Sequence, residues 1–280
     1  MQADGVSVWA IVVAYEAPDT VAACLAGLAA QTTPVDRVVV VDNGREASAI
    51  GGPTVEVVRP GANIGPAGGF ALGLDRFLAS DADFAWLMDD DIVPSADALG
   101  HLLAVLRDRP PGIAFPFVAR AGSAPVRSLP AWAGVLLPRA VVSAVGVPDA
   151  SLFFWVEDTE YLQWRIPRAG FAHYDAHAAV VHDHRIRREA HLPPWGYYYR
   201  ARNTVHYRLR VQRGRRVHRV VVVLARLAIR AAREPERRAK LVMVGRGVSD
   251  GLRGRLGPTV LPPSQPAVEA ARRPSTSEGS

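Results

Sequence analysis

Cysteine is nearly absent from this chain of 280 residues, Cys24 being the only one. A single thiol excludes an internal disulfide framework and a zinc site built from cysteines, and it makes the reducing cytoplasm the default compartment. Lysine is as scarce, with Lys240 alone among the arginines, and a bias so general carries no recognition argument. The apolar run Val220 to Ala225, between Arg219 and Arg226, falls far short of the ~20 residues that span a bilayer. No signal peptide is expected, because Met1 to Gly5 carries an acid rather than a basic start and Val6 to Ala14 reads as a strand. Internal repeats are lacking too.

What is present describes a globular protein: 49% apolar and 21% charged residues in 30.2 kDa, enough to bury a full core. The net charge of +6 hides an asymmetry. Residues 1–184 hold 11 Lys+Arg against 21 Asp+Glu, a net of −10, whereas residues 185–255 hold 20 against 4, a net of +16. An acidic body with a basic C-terminal segment suggests metal and phosphate chemistry in the first and contact with an anionic surface in the second.

Hydrophobic periodicity predicts strands at Val8 to Ala14, Arg37 to Val41, Val55 to Val58, Phe84 to Met88 and Ile113 to Val118. Helices are predicted from Pro18, after the loop Pro60 to Gly69, and at Asp97 to Leu106. Alternation of this kind indicates an α/β fold with an open, mostly parallel sheet flanked by helices. Further strand-like runs stand at Val135 to Leu137 and before His182. From Pro193 aromatics and arginines interleave, and an amphipathic helix lying on a membrane surface fits Val220 to Ala225 better than a crossing. The chain therefore divides into a body, 1–184 (halves about 1–120 and 121–184), a basic helical appendage, 185–257, and a tail expected to be disordered, 258–280.

Asp89, Asp90 and Asp91 directly follow the apolar run Phe84 to Met88. Adjacent carboxylates at the end of a buried strand repel one another, and a divalent cation with oxygen ligands would compensate them, bringing substrate phosphates with it. Asp42 and the loop Asn63 to Phe70 also follow strands directly, so all three converge on one crevice beyond the strand ends. The loop is neither a P-loop nor a dinucleotide fingerprint. Its glycines either let backbone amides approach an anion at a helix N-terminus or serve only a turn needing positive φ. Asp158, in Trp155 to Tyr161, caps a helix or acts as a general base beside Glu157. His182, ending the run Ala178 to Val181, is structural or an extra metal ligand, with His184 the weaker candidate. Arginine–aromatic interleaving also fits nucleic acid, but the acidic remainder and the lack of a nucleic-acid motif favour anionic lipid headgroups.

Taken in order, these stations resemble the inverting family-2 glycosyltransferases of the GT-A fold over roughly residues 7–255. They are Ala14-Tyr15-Glu16, Val41-Asp42-Asn43, Asn63 to Phe70, Trp86 to Asp91, Gly146 to Asp149, Glu157-Asp158 and His182. The string Asn63 to Gly73, with Tyr197 to Arg200 and Arg202-Asn203, is similar to bacterial galactofuranosyl- and rhamnosyltransferases of cell-wall assembly. The resemblance implies that Tyr15, Glu16 and Asp42 hold the nucleotide base and ribose, and that Asn63, Gly65, Gly68 and Gly69 line the donor pocket. It implies Asp89, Asp91 and His182 as ligands of Mg²⁺ or Mn²⁺, Asp90 as a ribose or sugar contact, Asp158 as the base, and Trp132, Trp155 and Glu157 as acceptor-side residues. Pro167 falls inside the helix expected after Asp158, so that helix is expected to end early.

The expected reaction is a single inverting displacement from a nucleotide-sugar donor to a hydroxyl of a lipid-linked saccharide, at the inner face of the plasma membrane. UDP-galactofuranose leads as donor, with dTDP-rhamnose next. A nucleotidyltransferase is disfavoured because Glu16-Ala17-Pro18 stands where a glycine-rich basic segment is usual. A catalytically dead, membrane-attached carbohydrate-binding protein is disfavoured by intact Asp91, Asp158 and His182. No nucleic-acid partner is expected, and the oligomeric state is left open.

Overall fold

A computed structural model describes residues 5–44, 54–120, 122–184, 191–212 and 217–262. The first half of the body contains β1 (Val8–Ala14), α1 (Pro18–Ala29), β2 (Arg37–Asp42), β3 (Val55–Val58), α2 (Gly65–Leu78) and β4 (Phe84–Asp89), then β5 (Ile92–Pro94), α3 (Ala98–Leu106) and β6 (Gly112–Arg120). The second half continues with β7 (Val126–Arg127), β8 (Ala133–Pro138), α4 (Arg139–Val145), α5 (Glu157–Glu160), α6 (Ile166–Arg168) and β9 (Ala172–Asp183). Helices α7 (Pro194–His206), α8 (Val217–Arg233) and α9 (Arg237–Arg253) follow.

The nine described strands form one sheet in the order β3-β2-β1-β4-β8-β6-β9-β5, with β7 beside β6. The pairs β3/β2, β2/β1, β1/β4 and β6/β9 are parallel, whereas β4/β8, β8/β6, β6/β7 and β9/β5 are antiparallel. The sheet is thus mixed, and not mostly parallel as the helix–strand alternation suggested. A parallel neighbour needs a crossover of a dozen or more residues, usually a helix. Between β6 and β8 the chain carries only the short β7, so β8 enters antiparallel.

Successive side chains of a strand point to opposite faces, and the core divides accordingly. Val12, Met88 and Leu136 pack with α1 and α3 on one face, while Val13, Leu87 and Val135 pack with α2 and α4 on the other. Helix α2 approaches β1 closely because it presents glycine there. A Cβ on Gly73 would stand 2.4 Å from Ile11 Cγ2.

Two of the expected C-terminal segments are tied to the body. Tyr197, Tyr198, Tyr199, Arg202 and Asn203 of α7 are buried, and α7 packs on Phe153 through Tyr198 and Tyr199 as well as on α8 and α9 through Tyr197 and Ala201. Residues 258–262 also differ from a loose tail: Thr259 Oγ1 lies 2.6 Å from Tyr198 OH, and the Val260 amide donates to Tyr199 OH at 3.1 Å. The rest of that expected tail, 263–280, and residues 185–190 and 213–216 of the basic segment lie outside the described residues. The helix after Asp158 runs through a wider, π-type turn at Tyr161–Arg165 into the three-residue α6 and ends at Arg168, one residue beyond Pro167.

Candidate active site

The residues expected to bind the donor stand at or just after the ends of parallel strands. Asp42 at the end of β2 is buried; its Oδ1 accepts from the Gly44 amide at 2.9 Å and its Oδ2 lies 3.4 Å from Arg59 Nε. Asn63 Oδ1 accepts from the Gly65 amide at 2.8 Å. Asn43, which the sequence did not single out as a site residue, bridges the two segments: it accepts from the Ile64 amide at 3.2 Å and donates to Gly65 O at 3.3 Å. Glu16, after β1, holds a left-handed backbone at φ 47°. Tyr15 precedes it, and its amide donates to Asp90 Oδ2 at 3.0 Å. One oxygen of Asp90, expected on the ribose or sugar, is therefore engaged in tying the aspartate turn to β1.

The loop glycines serve packing more than lining. At Gly68 a Cβ would meet Ile64 Cβ at 2.8 Å, and at Gly69 it would meet Val13 Cγ1 at 2.6 Å. Both are buried, which corrects the expectation that they face the donor. Gly65 differs: its φ is +69° and a Cβ would fall 2.2 Å from Phe153 O. With the Ala67 amide donating to that same carbonyl at 3.2 Å, the start of α2 is seated against the acceptor-side loop.

Asp89 ends β4, and Asp90 and Asp91 form the turn into β5. Their charge reaches Cys24, whose thiol is pushed up by burial and then by Asp90, Asp91 and Asp89. In the β5/β9 pairing Val93 faces His182, and the His184 amide donates to Asp91 O at 2.8 Å. Strand alternation sets Asp91, Val93, His182 and His184 on one face. His184 is the imidazole in register with Asp91, while His182 Nε2 lies 3.2 Å from Ser95 Oγ. Among the described residues no group of three or more His, Cys, Asp or Glu could hold a metal ion by itself. The donor set nevertheless suits Mg²⁺ or Mn²⁺ in chemical type, carboxylate oxygen with one imidazole, provided substrate oxygens complete the shell.

Trp155 and Glu157, expected on the acceptor side, stand in or directly after a strained loop. Phe153, Trp155 and Val156 have φ of 64°, 67° and 75°, a conformation costing roughly 1–3 kcal/mol each and unusual for a β-branched residue. Asn203 of α7 holds it there. Its Nδ2 lies 2.8 Å from Leu152 O, 2.8 Å from Phe154 O and 2.7 Å from Trp155 O. Arg202, fully buried, donates to Leu152 O at 2.8 Å, to Gly257 O at 2.6 Å and to Asn203 Oδ1 at 2.8 Å. The adjacent Arg-Asn pair within an aromatic run was the available signal for this clamp.

The loop delivers Trp155, Glu157 and Asp158. Asp158 Oδ1 accepts from the Thr159 amide at 2.5 Å and the Thr159 hydroxyl at 3.2 Å, which fixes the carboxylate at the start of α5. Arg200 stacks over Trp155 at 5.1 Å. Glu157 is buried, and its pKa is pushed up to about 8 by that burial and by the Asp158 charge. Trp132, expected on the acceptor side, is instead buried and stacked on Phe70 with ring centroids 4.2 Å apart. Its carbonyl accepts from the Asp89 amide at 2.7 Å. Trp132 is a strut between the aspartate turn and Phe70 of α2.

A parallel sheet edge with strand-end carboxylates, joined to a mixed half that presents an acid at a helix start, is the architecture of the GT-A glycosyltransferases. A family model for glycosyl transferase family 2 matches residues 9–156, and the chain belongs to that family. Among curated relatives, galactofuranosyltransferase GlfT1 of Mycobacterium tuberculosis (strain H37Rv) is 34% identical over 202 residues, 59% of this chain and 66% of the relative. GlfT1 of Mycolicibacterium smegmatis is 32% identical over 200 residues, 58% and 66% respectively. The chain thus spans 66% of the length of these relatives. Among solved structures, mannosyltransferase PcManGT from Pyrobaculum calidifontis, in complex with GDP-Man and Mn²⁺, superposes with a TM-score of 0.57 at 15% identity, covering 89% of this chain and 87% of that one. S. aureus TarS gives 0.52 at 13%, covering 88% and 54%.

Proposed function

We propose that the chain is a metal-dependent, inverting glycosyltransferase that moves a sugar from a nucleoside-diphosphate donor to a hydroxyl of a lipid-linked saccharide. UDP-galactofuranose is the first donor to test, because the curated relatives are galactofuranosyltransferases. The observation that carries the reading is the pair of short links joining its two halves. The Asp89 amide donates to Trp132 O, and the start of α2 is seated on Phe153 O through the Ala67 amide and the bare Cα of Gly65.

Asp89 and Asp91, with the imidazole of His184 or His182, would hold Mg²⁺ or Mn²⁺, which supplies positive charge for the departing diphosphate. Tyr15, Glu16, Asp42 and Asn63 bound the space for base and ribose. Asp158 accepts the acceptor hydroxyl proton as that oxygen bonds to the anomeric carbon and the bond from that carbon to the diphosphate oxygen breaks. Configuration at the anomeric carbon inverts. Glu157, neutral around pH 7, adds no second charge beside the base, and Trp155 offers an aromatic face to the acceptor sugar. The lone buried thiol suits a reducing compartment, so we place the reaction at the cytoplasmic face of a membrane.

The test is a panel of sugar nucleotides with Mn²⁺, read as thermal stabilisation and as nucleoside-diphosphate release. Stabilisation by UDP-galactofuranose with metal is expected, and dTDP-rhamnose is the competing arm. A product with retained anomeric configuration would refute the single displacement.

A further inference from the structure

Helix α8 turns apolar residues towards solvent. One side, Leu224, Leu227 and Ala231, packs against α7 and α9. The other side carries exposed apolar residues beside the charged ones that a surface helix normally shows. Val221 is 63% exposed, Val222 45% and Ile229 52%. At 100° per residue, Val222, Ala225 and Ile229 form one outward lane, and exposed Arg219, Arg226 and Arg233 form a second lane beside it. From residue 191 to 233 the sequence contains no Asp or Glu. The acid that follows, Glu234, is engaged by Arg230 at 2.6 Å, Tyr197 at 2.8 Å and Lys240 at 3.0 Å.

We infer that the outward face of α8 is a docking surface for an anionic lipid bilayer, with the valine–isoleucine lane at the acyl boundary and the arginine lane on the phosphates. An interfacial helix requires this side-by-side arrangement of apolar and cationic residues. A second copy of this chain fits worse, because pairing two such faces would oppose arginines with no acids to offset them. Nucleic acid would use the arginines and leave the apolar lane in water. No helix among the described residues is long and apolar enough to cross a membrane, so α8 lies along the surface. The face also borders the acceptor side: Arg200, over Trp155, has its guanidinium pKa lowered by burial and then by the charge of Arg230. The inference does not depend on the transferase reading, since it is tested without donor or acceptor.

The experiment is flotation of the full chain with phosphatidylcholine vesicles, with and without phosphatidylglycerol, at low and high salt. Wild-type protein is expected to float with the anionic vesicles and to be released by salt. Arg226→Gln/Arg233→Gln is expected to lower partitioning roughly 30-fold, at about 1 kcal/mol per arginine, and Val222→Glu/Ile229→Glu to abolish it, both with unchanged melting temperature. Absence of wild-type flotation, or either double variant floating like the wild type, overturns the assignment. So does a solution dimer that Ile229→Glu dissociates, or tighter binding to an oligonucleotide than to the vesicles.

Discussion

Replacing Asn203 by alanine is expected to damage turnover far more than the fold. The variant removes an amide nitrogen lying 2.7–2.8 Å from three loop carbonyls. Leu152 O keeps its bond from Arg202, but Phe154 O and Trp155 O lose their Asn203 donor. A buried acceptor left unsatisfied costs ~1–3 kcal/mol, so the two together cost roughly 2–6 kcal/mol. The backbone strain that Asn203 helps to hold, at Phe153, Trp155 and Val156, totals about 3–9 kcal/mol at ~1–3 each. The two quantities are of similar size. The cheaper response is therefore local: the loop relaxes towards negative φ and water reaches the freed carbonyls. Val156 immediately precedes Glu157 and Asp158, so this relaxation displaces the base.

A misplacement of ~1 Å costs on the order of 100-fold in rate, and kcat should fall by about that factor while donor affinity, set by the strand ends, is retained. The assay is nucleoside-diphosphate release at saturating donor, with hydrogen exchange at the amides of residues 157–160 as the structural readout. Asn203→Asp, equal in shape but without an N–H, should be no better than alanine. A loss of kcat below ~10-fold, or rescue by aspartate, would refute the clamp.

Asp158→Asn should lower turnover by ~10²–10⁴ with donor affinity unchanged; a matching loss of donor affinity would move Asp158 into the donor pocket. Asp91→Asn, or chelation of the wild type, should abolish Mn²⁺-dependent stabilisation by the nucleotide sugar in thermal melts. Gly65→Ala meets both a positive φ and the Phe153 carbonyl, so it should lose stability by roughly 1–2 kcal/mol for the backbone alone and lose activity further through the displaced loop. Glu157 should impose a pH dependence, because its pKa is raised in the fold to about 8 from the ordinary carboxylate value of 4.5. The folded state then binds the extra proton between those values, so stability falls as pH rises through that window and levels off above it. Glu157→Gln should remove that slope in denaturant titrations and preserve activity near neutrality; an unchanged slope would show that Glu157 is ionised in the fold.

The first half of the body was legible in the sequence because its strands are continuous apolar runs with their acids directly at the ends. Val8–Ala14, Arg37–Asp42 and Phe84–Asp89 fall within a residue of their expected spans, and Asp42 and the aspartate turn sit at those ends. What escaped depends on partners remote in sequence. The antiparallel entry of β8 follows from a missing crossover, which periodicity does not register. The short β5 exists only because β9 pairs with it. Trp132 looked like an acceptor platform, since exposed and buried tryptophans have the same sequence signature, and its stacking on Phe70 could not be read locally. Gly68 and Gly69 were ambiguous between anion contact and packing until Val13 and Ile64 were found against them. Arg202 and Asn203 counted as part of a basic segment, although both are buried and serve a loop some 50 residues earlier in the chain.

These differences divide the site by stiffness. Asp42 and Asp89 end strands whose backbones are fixed by neighbours on both sides, so their positions follow from the sheet. Trp155 and Asp158 depend on a loop that its own backbone preferences oppose, held by Asn203 of α7. That helix also carries Tyr197, whose hydroxyl donates to the Glu234 that anchors Arg230 of α8. Burial would raise the Glu234 carboxyl, yet hydrogen bonds from Arg230, Lys240 and Tyr197 hold it at about 2, so this junction stays charged throughout the physiological range. Helix α7 thus joins the Trp155 loop to α8 through ionic and hydrogen-bonded contacts that pH near neutrality does not disturb.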